Sequence, residues 1–342
     1  MIFNNVSILS VVDVEAEKVV SSESIEKEVY PYIKNFTQRE NFLTSLTGIK
    51  ERRMWEKDYC PSSETGTRAA ILALEKANLE KEKIDLLINT SVTRDFIEPS
   101  IASLVHGNLG LRQDCMNFDI SNACLGFVNA IDMASSLIEI GKINYALITN
   151  GETTQAFLEN AIKFLQRDDV TEKDFKDVFA NLTMGSGAVA MILTRSDLAP
   201  EGAPKVVSSV ALSDTQEGHN RFCTGQVDKI ITDGSNLLIH GVKLAVKTRM
   251  MGMQKYDWAK KQFDHYICHQ VGEIYSKKVM EAWGLDFSKF YKTYPNFGNI
   301  GPASVIFTLS KAIIDGTIKK GERILLGGIG SGINCNLMEI CF

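Results

Sequence analysis

Apolar residues recur at two spacings along this chain, and stretches of the two kinds alternate. Residues 64–78 place Ala69, Ile71, Leu72, Leu74 and Ala77 among charged side chains, the stripe of an amphipathic helix. Residues 84–89, Ile-Asp-Leu-Leu-Ile-Asn, follow as a short apolar run and predict a buried strand. Residues 116–121 predict another, which runs into Asn122-Ala123-Cys124. Residues 127–140 predict an apolar helix closed by Gly141. Residues 145–149 and 188–193 predict two more buried strands. This alternation of strand and helix predicts an α/β fold with a mostly parallel sheet covered on both faces.

The pattern partly repeats. Residues 142–151 resemble residues 320–328, and Asp85-Leu86-Leu87-Ile88-Asn89 resembles Asp264-His265-Tyr266-Ile267-Cys268. Two related α/β halves follow, 1–195 and 205–342, with a charged helical insertion at about 155–183. That insertion reads as a core or interface helix, with an acyl-channel lining as the alternative. Residues 196–236 are punctuated by Gly and Pro and predict a linker or loop region.

Composition narrows the function classes. The chain has 342 residues with a net charge of −5, so a nucleic-acid partner is not indicated. Seven cysteines without a CxxC predict neither a zinc ribbon nor a disulfide framework, and no metal site. The apolar runs fall far short of the ~20 residues of a membrane span. The first residues lack a basic n-region and a cleavage site. These features predict a cytoplasmic protein without a membrane span.

Three places carry candidate chemistry. Cys124 sits at a strand-to-helix turn between the small residues Ala123 and Gly126. A helix N-terminus favours thiolate, which makes such a thiol a nucleophile. A small buried hydrophobe is the plainer reading. His269 follows a predicted strand in Tyr-Ile-Cys-His-Gln-Val-Gly, and Asn299 lies in the turn Asn-Phe-Gly-Asn-Ile-Gly-Pro-Ala-Ser. Imidazole and amide N–H groups can hold a thioester or enolate oxygen. Taken singly, each reads equally as a structural residue.

Taken together, these segments resemble the thiolase-superfamily condensing enzymes, in particular the β-ketoacyl-acyl-carrier-protein synthase III group. The resemblance rests on Thr47-Gly48-Ile49-Lys50-Glu51-Arg52, Asn122-Ala123-Cys124-Leu125-Gly126-Phe127, Gly185-Ser186-Gly187, Cys268-His269-Gln270, Gly298-Asn299-Ile300-Gly301 and Gly330-Ser331-Gly332. It implies a five-layer αβαβα sandwich of two related halves, usually a homodimer. It also implies an acyl-Cys124 intermediate, an oxyanion hole from the backbone N–H groups of Cys124 and Ser331, and roles for His269 and Asn299. Substrates are then fatty acyl thioesters on CoA or an acyl-carrier protein, with no permanently bound cofactor.

Glu98, in Arg94-Asp95-Phe96-Ile97-Glu98-Pro99-Ser100, stands where the ordinary group has a large apolar residue reaching the neighbouring subunit. A glutamate there resembles the OleA-type condensing enzymes of bacterial olefin biosynthesis. The resemblance implies that Glu98 acts as base on the partner's substrate in a head-to-head, non-decarboxylative condensation. Such a condensation must take a proton from carbon, and a carboxylate with a raised pKa suits that task. An exposed acid ahead of a helix start is the local alternative.

Two other functions stay open: a decarboxylative synthase using malonyl-carrier protein, and a non-condensing acyltransferase to an alcohol or amine. Phe42 and Leu46 occupy the positions of the group's CoA-adenine clasp. Phe42 is a candidate for stacking on adenine, and Arg52 and Arg53 for binding CoA or pantetheine phosphates.

Overall fold

The computed structural model describes residues 1–36, 40–56, 60–216, 218–226, 229–260 and 262–342. Its strands are β1 (Val6–Glu15), β2 (Lys18–Ser21), β3 (Glu51–Met54), β4 (Leu86–Asn89), β5 (Met116–Asp119), β6 (Tyr145–Glu152), β7 (Gly187–Arg195), β8 (Lys205–Ser213), β9 (Cys223–Gly225), β10 (Ile230–Thr232), β11 (His265–Cys268), β12 (Arg323–Gly330) and β13 (Asn334–Cys341). Its α-helices are α1 (Ser22–Ile33), α2 (Phe42–Thr47), α3 (Ser62–Ala77), α4 (Ile101–Leu109), α5 (Gly126–Glu139), α6 (Gln155–Leu165), α7 (Glu172–Val178), α8 (Gly234–Lys255), α9 (Glu273–Ala282), α10 (Tyr294–Phe297) and α11 (Ala303–Ile314).

Among the described residues, nine strands form one mixed sheet in the order β11-β12-β13-β8-β1-β7-β6-β4-β5. The expected mostly parallel sheet is corrected here. Only the pairs β4–β5, β4–β6 and β11–β12 are parallel, and the central pairs are antiparallel. Hydrophobic runs predict burial on both faces, which central strands of a covered mixed sheet share with parallel ones. The expected loop at 196–236 is also corrected: it holds β8, paired along its length with β13.

Neighbouring side chains of one strand point to opposite faces. Leu86 and Ile88 enter one apolar cluster, and Leu87 enters another. The first cluster unites residues of α5 and α11 with inward residues from both ends of the sheet. Helices α3 and α4 cover the other face of the β1–β7 side. Helices α8 and α9 cover the other face of the β8–β13 side. A fourth cluster joins α1, α2, α6 and α7. No helix among the described residues is long and apolar enough to cross a membrane.

Candidate active site

The C-terminal ends of β4, β5, β11 and β12 converge on one cavity of about 660 Å³, within the range of small-molecule sites. Cys124, His269, Asn299 and Ser331 all line it, together with Phe157, Met184 and Leu237. Sequence reasoning named the first four, and the structure brings them together.

Cys124 follows β5 and immediately precedes Leu125, the N-cap of α5. The turn is tight. Ala123 adopts a left-handed φ of 45°, and a Cβ on Gly126 would lie 3.2 Å from the carbonyl oxygens of Ile120 and Thr90. The Asn122 side chain donates to Asn129 Oδ1 at 2.7 Å and accepts from Asn334 Nδ2 at 3.0 Å. The second contact ties the nucleophile turn to the glycine loop that carries Ser331.

The helix end does not lower this thiol. Burial pushes Cys124 up to about 12, aided by Cys223 and Glu152. Burial likewise pushes His269 down to about 4, against a smaller opposing effect of the Gly301 backbone. The resting pair is therefore a thiol and a neutral imidazole. Desolvation outweighs the helix dipole, whose influence is confined to one turn.

His269 follows β11, and its N–H donates to Gly327 O at 2.8 Å. A Cβ on Gly328 would fall 2.7 Å from His269 Cβ, so this close packing requires glycine. Neither ring nitrogen of His269 makes a well-formed hydrogen bond to protein, the Gly301 backbone acting on the ring only weakly. A buried imidazole without such a bond is free to engage a ligand carbonyl. Asn299 is clamped instead. Its Oδ1 accepts from Gly301 N–H at 3.0 Å, its N–H donates to Thr183 O and its carbonyl accepts from Gly185 N–H, both at 2.9 Å. With Oδ1 fixed, Nδ2 is the end presented as donor.

Glu98 lies outside this lining, while its neighbours Phe96 and Ile97 contribute to it. Glu98 is exposed, and Ile97 is 90% exposed. Glu98 is thus not part of its own chain's cavity wall, although the residues just before it are.

Two expectations for a CoA clasp are overturned. Phe42 is fully buried, packed edge-on against Phe175 at 5.6 Å, so no ring face remains for an adenine. Arg52 is fully buried as well. It donates to Leu182 O at 2.9 Å and Ser22 Oγ at 3.0 Å, and burial lowers it to about 10. Arg53 is half-buried, lying 3.5 Å from Glu51 and over the Phe297 ring. The insertion reaches the cavity through Phe157, while Leu158, Ala161, Ile162 and Leu165 of α6 pack into its own cluster.

Sequence reasoning missed Glu152, the last residue of β6. It lines the cavity, and burial raises its carboxyl to about 7 against four hydrogen bonds that oppose the rise. Its only sequence signal is an acid ending the apolar run Tyr-Ala-Leu-Ile-Thr-Asn-Gly-Glu. A grouping with metal-ligand chemistry lies elsewhere: Asp214, His219 and His240, with candidate ligand atoms within 4.8 Å of one another. There His219 Nδ1 stands 3.0 Å from Asp214 Oδ1.

Comparison with known proteins gives a consistent picture. Residues 118–215 match the 3-oxoacyl-[acyl-carrier-protein] synthase III family, and residues 253–340 match its C-terminal region. The chain is 42% identical over 340 residues to the acyl-CoA:acyl-CoA alkyltransferase of Xanthomonas campestris pv. campestris, covering 99% of each chain. The fold matches crystal structures of OleA from that species. One is a cysteine-to-serine variant with bound lauric acid and lauroyl-CoA, at 41% identity, TM-score 0.95 and coverage of 99% of this chain and 100% of that one. Another carries a glutamate-to-glutamine substitution, at 41% identity, TM-score 0.96 and coverage of 100% and 98%. The substituted glutamate precedes the substituted cysteine there by the same interval as Glu98 precedes Cys124.

Proposed function

Since the chain belongs to the 3-oxoacyl-[acyl-carrier-protein] synthase III-like family of thiolase-fold condensing enzymes, we propose that it joins two fatty acyl-CoAs head to head without loss of CO₂. The observation that carries this reading is the meeting of Cys124, His269 and Asn299 in one cavity, with Glu98 exposed and outside its lining. The halves 1–195 and 205–342, with the insertion at about 155–183, then form five layers, αβαβα. Two copies form a homodimer in which each Glu98 serves the other's cavity.

The steps follow from the groups present. Cys124 Sγ attacks the first acyl thioester, the C–S bond to CoA breaks, and the thiol proton leaves on the CoA sulfur. The developing oxyanion is held by the backbone N–H groups of Cys124 and Ser331. The carbonyl of the second acyl-CoA meets the neutral His269 and the Nδ2 group of Asn299. Glu98 of the partner subunit removes the α-proton, and those two donors hold the enolate oxygen. The α-carbon then attacks the acyl carbon, the bond to Cys124 breaks, and the sulfur recovers a proton. A β-keto thioester results, and water releases it as a β-keto acid. A neutral imidazole suits this role, because a charged one would protonate the enolate.

A Glu98→Gln variant incubated with lauroyl-CoA tests the reading. Intact-protein mass should show acyl-Cys124 forming, while condensed product falls about 10²–10⁴-fold, the usual worth of a general base. Undiminished product formation overturns it.

A further inference from the structure

One buried carboxylate beside the cavity takes no part in the chemistry above. Glu152 is 1% exposed. One carboxylate oxygen accepts from Val92 N–H at 2.8 Å and Asn150 Nδ2 at 3.1 Å. The other accepts from Thr93 N–H at 3.2 Å and Thr93 Oγ1 at 2.9 Å. Three of these four donors belong to the segment that follows β4, which would otherwise leave two backbone N–H groups unpaired.

The same segment is fastened further on. Asp95 accepts from Ser62 N–H at 2.7 Å and Ser63 N–H at 3.2 Å, at the start of α3. Asp119 accepts from Ile101 N–H and Ala102 N–H, at the start of α4. Between these stems, residues 96–98 make no hydrogen bond among the described residues. The position of Glu98 is therefore inherited from its stems, and Glu152 holds the first of them.

We propose that Glu152 is a positioning residue that acts across the dimer, setting the 92–98 segment of its own chain and thereby placing Glu98 in the partner's cavity. The proposal rests on the role of Glu98 given above. Glu152 also has a neighbour within its own site, since a Cβ on Gly301 would lie 3.7 Å from its carboxyl carbon. The two directions of action make opposite predictions.

Mixed dimers of differently tagged chains separate them, with lauroyl-CoA as substrate. The reference pairs a Cys124→Ser chain with an unaltered chain, so that only one cavity works. In the first test dimer, Glu152→Gln is added to the Cys124→Ser chain. The working cavity then receives its Glu98 from a chain without the carboxylate. In the second, Glu152→Gln is placed on the chain that carries Cys124. The expected result is at least a tenfold loss of condensed product in the first dimer. The second, whose Glu98 comes from a chain that keeps the carboxylate, should lose several-fold less than the first, even though Glu152 lines its own cavity, and its remaining activity shows that a Glu152→Gln chain folds. Acyl-Cys124 formation, read as the first burst of CoA, should match the reference in the first dimer, whose working chain keeps its own Glu152. A merely structural role would lower the burst as well. A loss in the second dimer equal to or larger than that in the first overturns the proposal. Glu98→Gln in the same two arrangements tests the underlying reading. If it shows no preference for the partner's cavity, that reading fails. If it follows the partner rule and Glu152→Gln does not, the proposal about Glu152 alone fails.

Discussion

The two sides of the cavity are held by different physics. On the β4–β6 side, carboxylates do the fastening: Glu152 on Val92 and Thr93, Asp95 on α3, Asp119 on α4. On the β11–β12 side, His269 is seated by backbone pairing and by glycine packing, and Asn299 by backbone groups of residues 183, 185 and 301. The first side can change with protonation and carries the exposed residues 96–98. The second needs fixed, neutral donors, and packing supplies them. A mobile charge near His269 would undo the neutral state that burial maintains.

The largest effect expected from breaking the second side is at Asn299. Replacing it by Ala removes a fixed donor and should slow condensation about 10²–10³-fold. Single-turnover product formation from acylated enzyme is the measurement. Acylation of Cys124 should fall much less.

The two sides should also respond to pH with opposite sign. Glu152 is raised from 4.5 to about 7, so the fold binds its proton more tightly. The stability this gives is complete below pH 4.5 and is lost as pH rises through 7. His269 is lowered from 6.5 to about 4. Its stabilising contribution is present above pH 6.5 and is lost as pH falls through 4. Each is worth about 3 kcal/mol across its window, so the two offset each other between pH 4.5 and 6.5. Melting temperature against pH should therefore be nearly flat from these groups in the unaltered protein. In Glu152→Gln it should drop as pH falls from 6.5 to 4. In His269→Asn it should drop as pH rises from 4.5 to 7. Slopes of the same sign in the two variants contradict the comparison.

A smaller effect belongs to neither side. Arg52 is locked among carbonyl and hydroxyl partners, with its Nε unpaired. Arg52→Met should destabilise by about 1–3 kcal/mol through the orphaned acceptors, read from urea unfolding. The KM for acyl-CoA should stay the same, because this arginine reaches no ligand.

Much of the frame was legible from apolar spacing. Helices α3 and α5 and strands β4, β6 and β7 lie where period and run length place them, because each buries a continuous face. Strand β8 was hidden. Its sequence Lys-Val-Val-Ser-Ser-Val-Ala-Leu-Ser follows a proline and looks half polar. Its central serines are buried because Glu339 and Asp132 accept from their hydroxyls, and those partners come from distant parts of the chain. Cys124, His269 and Asn299 were legible as motifs, and the structure gathers them at one cavity. Phe42 and Arg52 show the limit of motif position. A motif position carries no information about exposure, and here Phe175 of α7 packs on Phe42 while Leu182, beyond α7, takes the Arg52 guanidinium. Glu152 was illegible because its meaning lies in backbone N–H groups sixty residues away.

The central claim is that carbon–carbon bond formation here starts from proton removal and not from CO₂ loss. The direct measurement is mass spectrometry of products from pure protein given lauroyl-CoA alone, and lauroyl-CoA with malonyl-carrier protein. The account predicts a condensed product from lauroyl-CoA alone that keeps the carbons of both acyl chains, with two CoA released per product. Condensation only when malonyl-carrier protein is present, with release of CO₂, would contradict it.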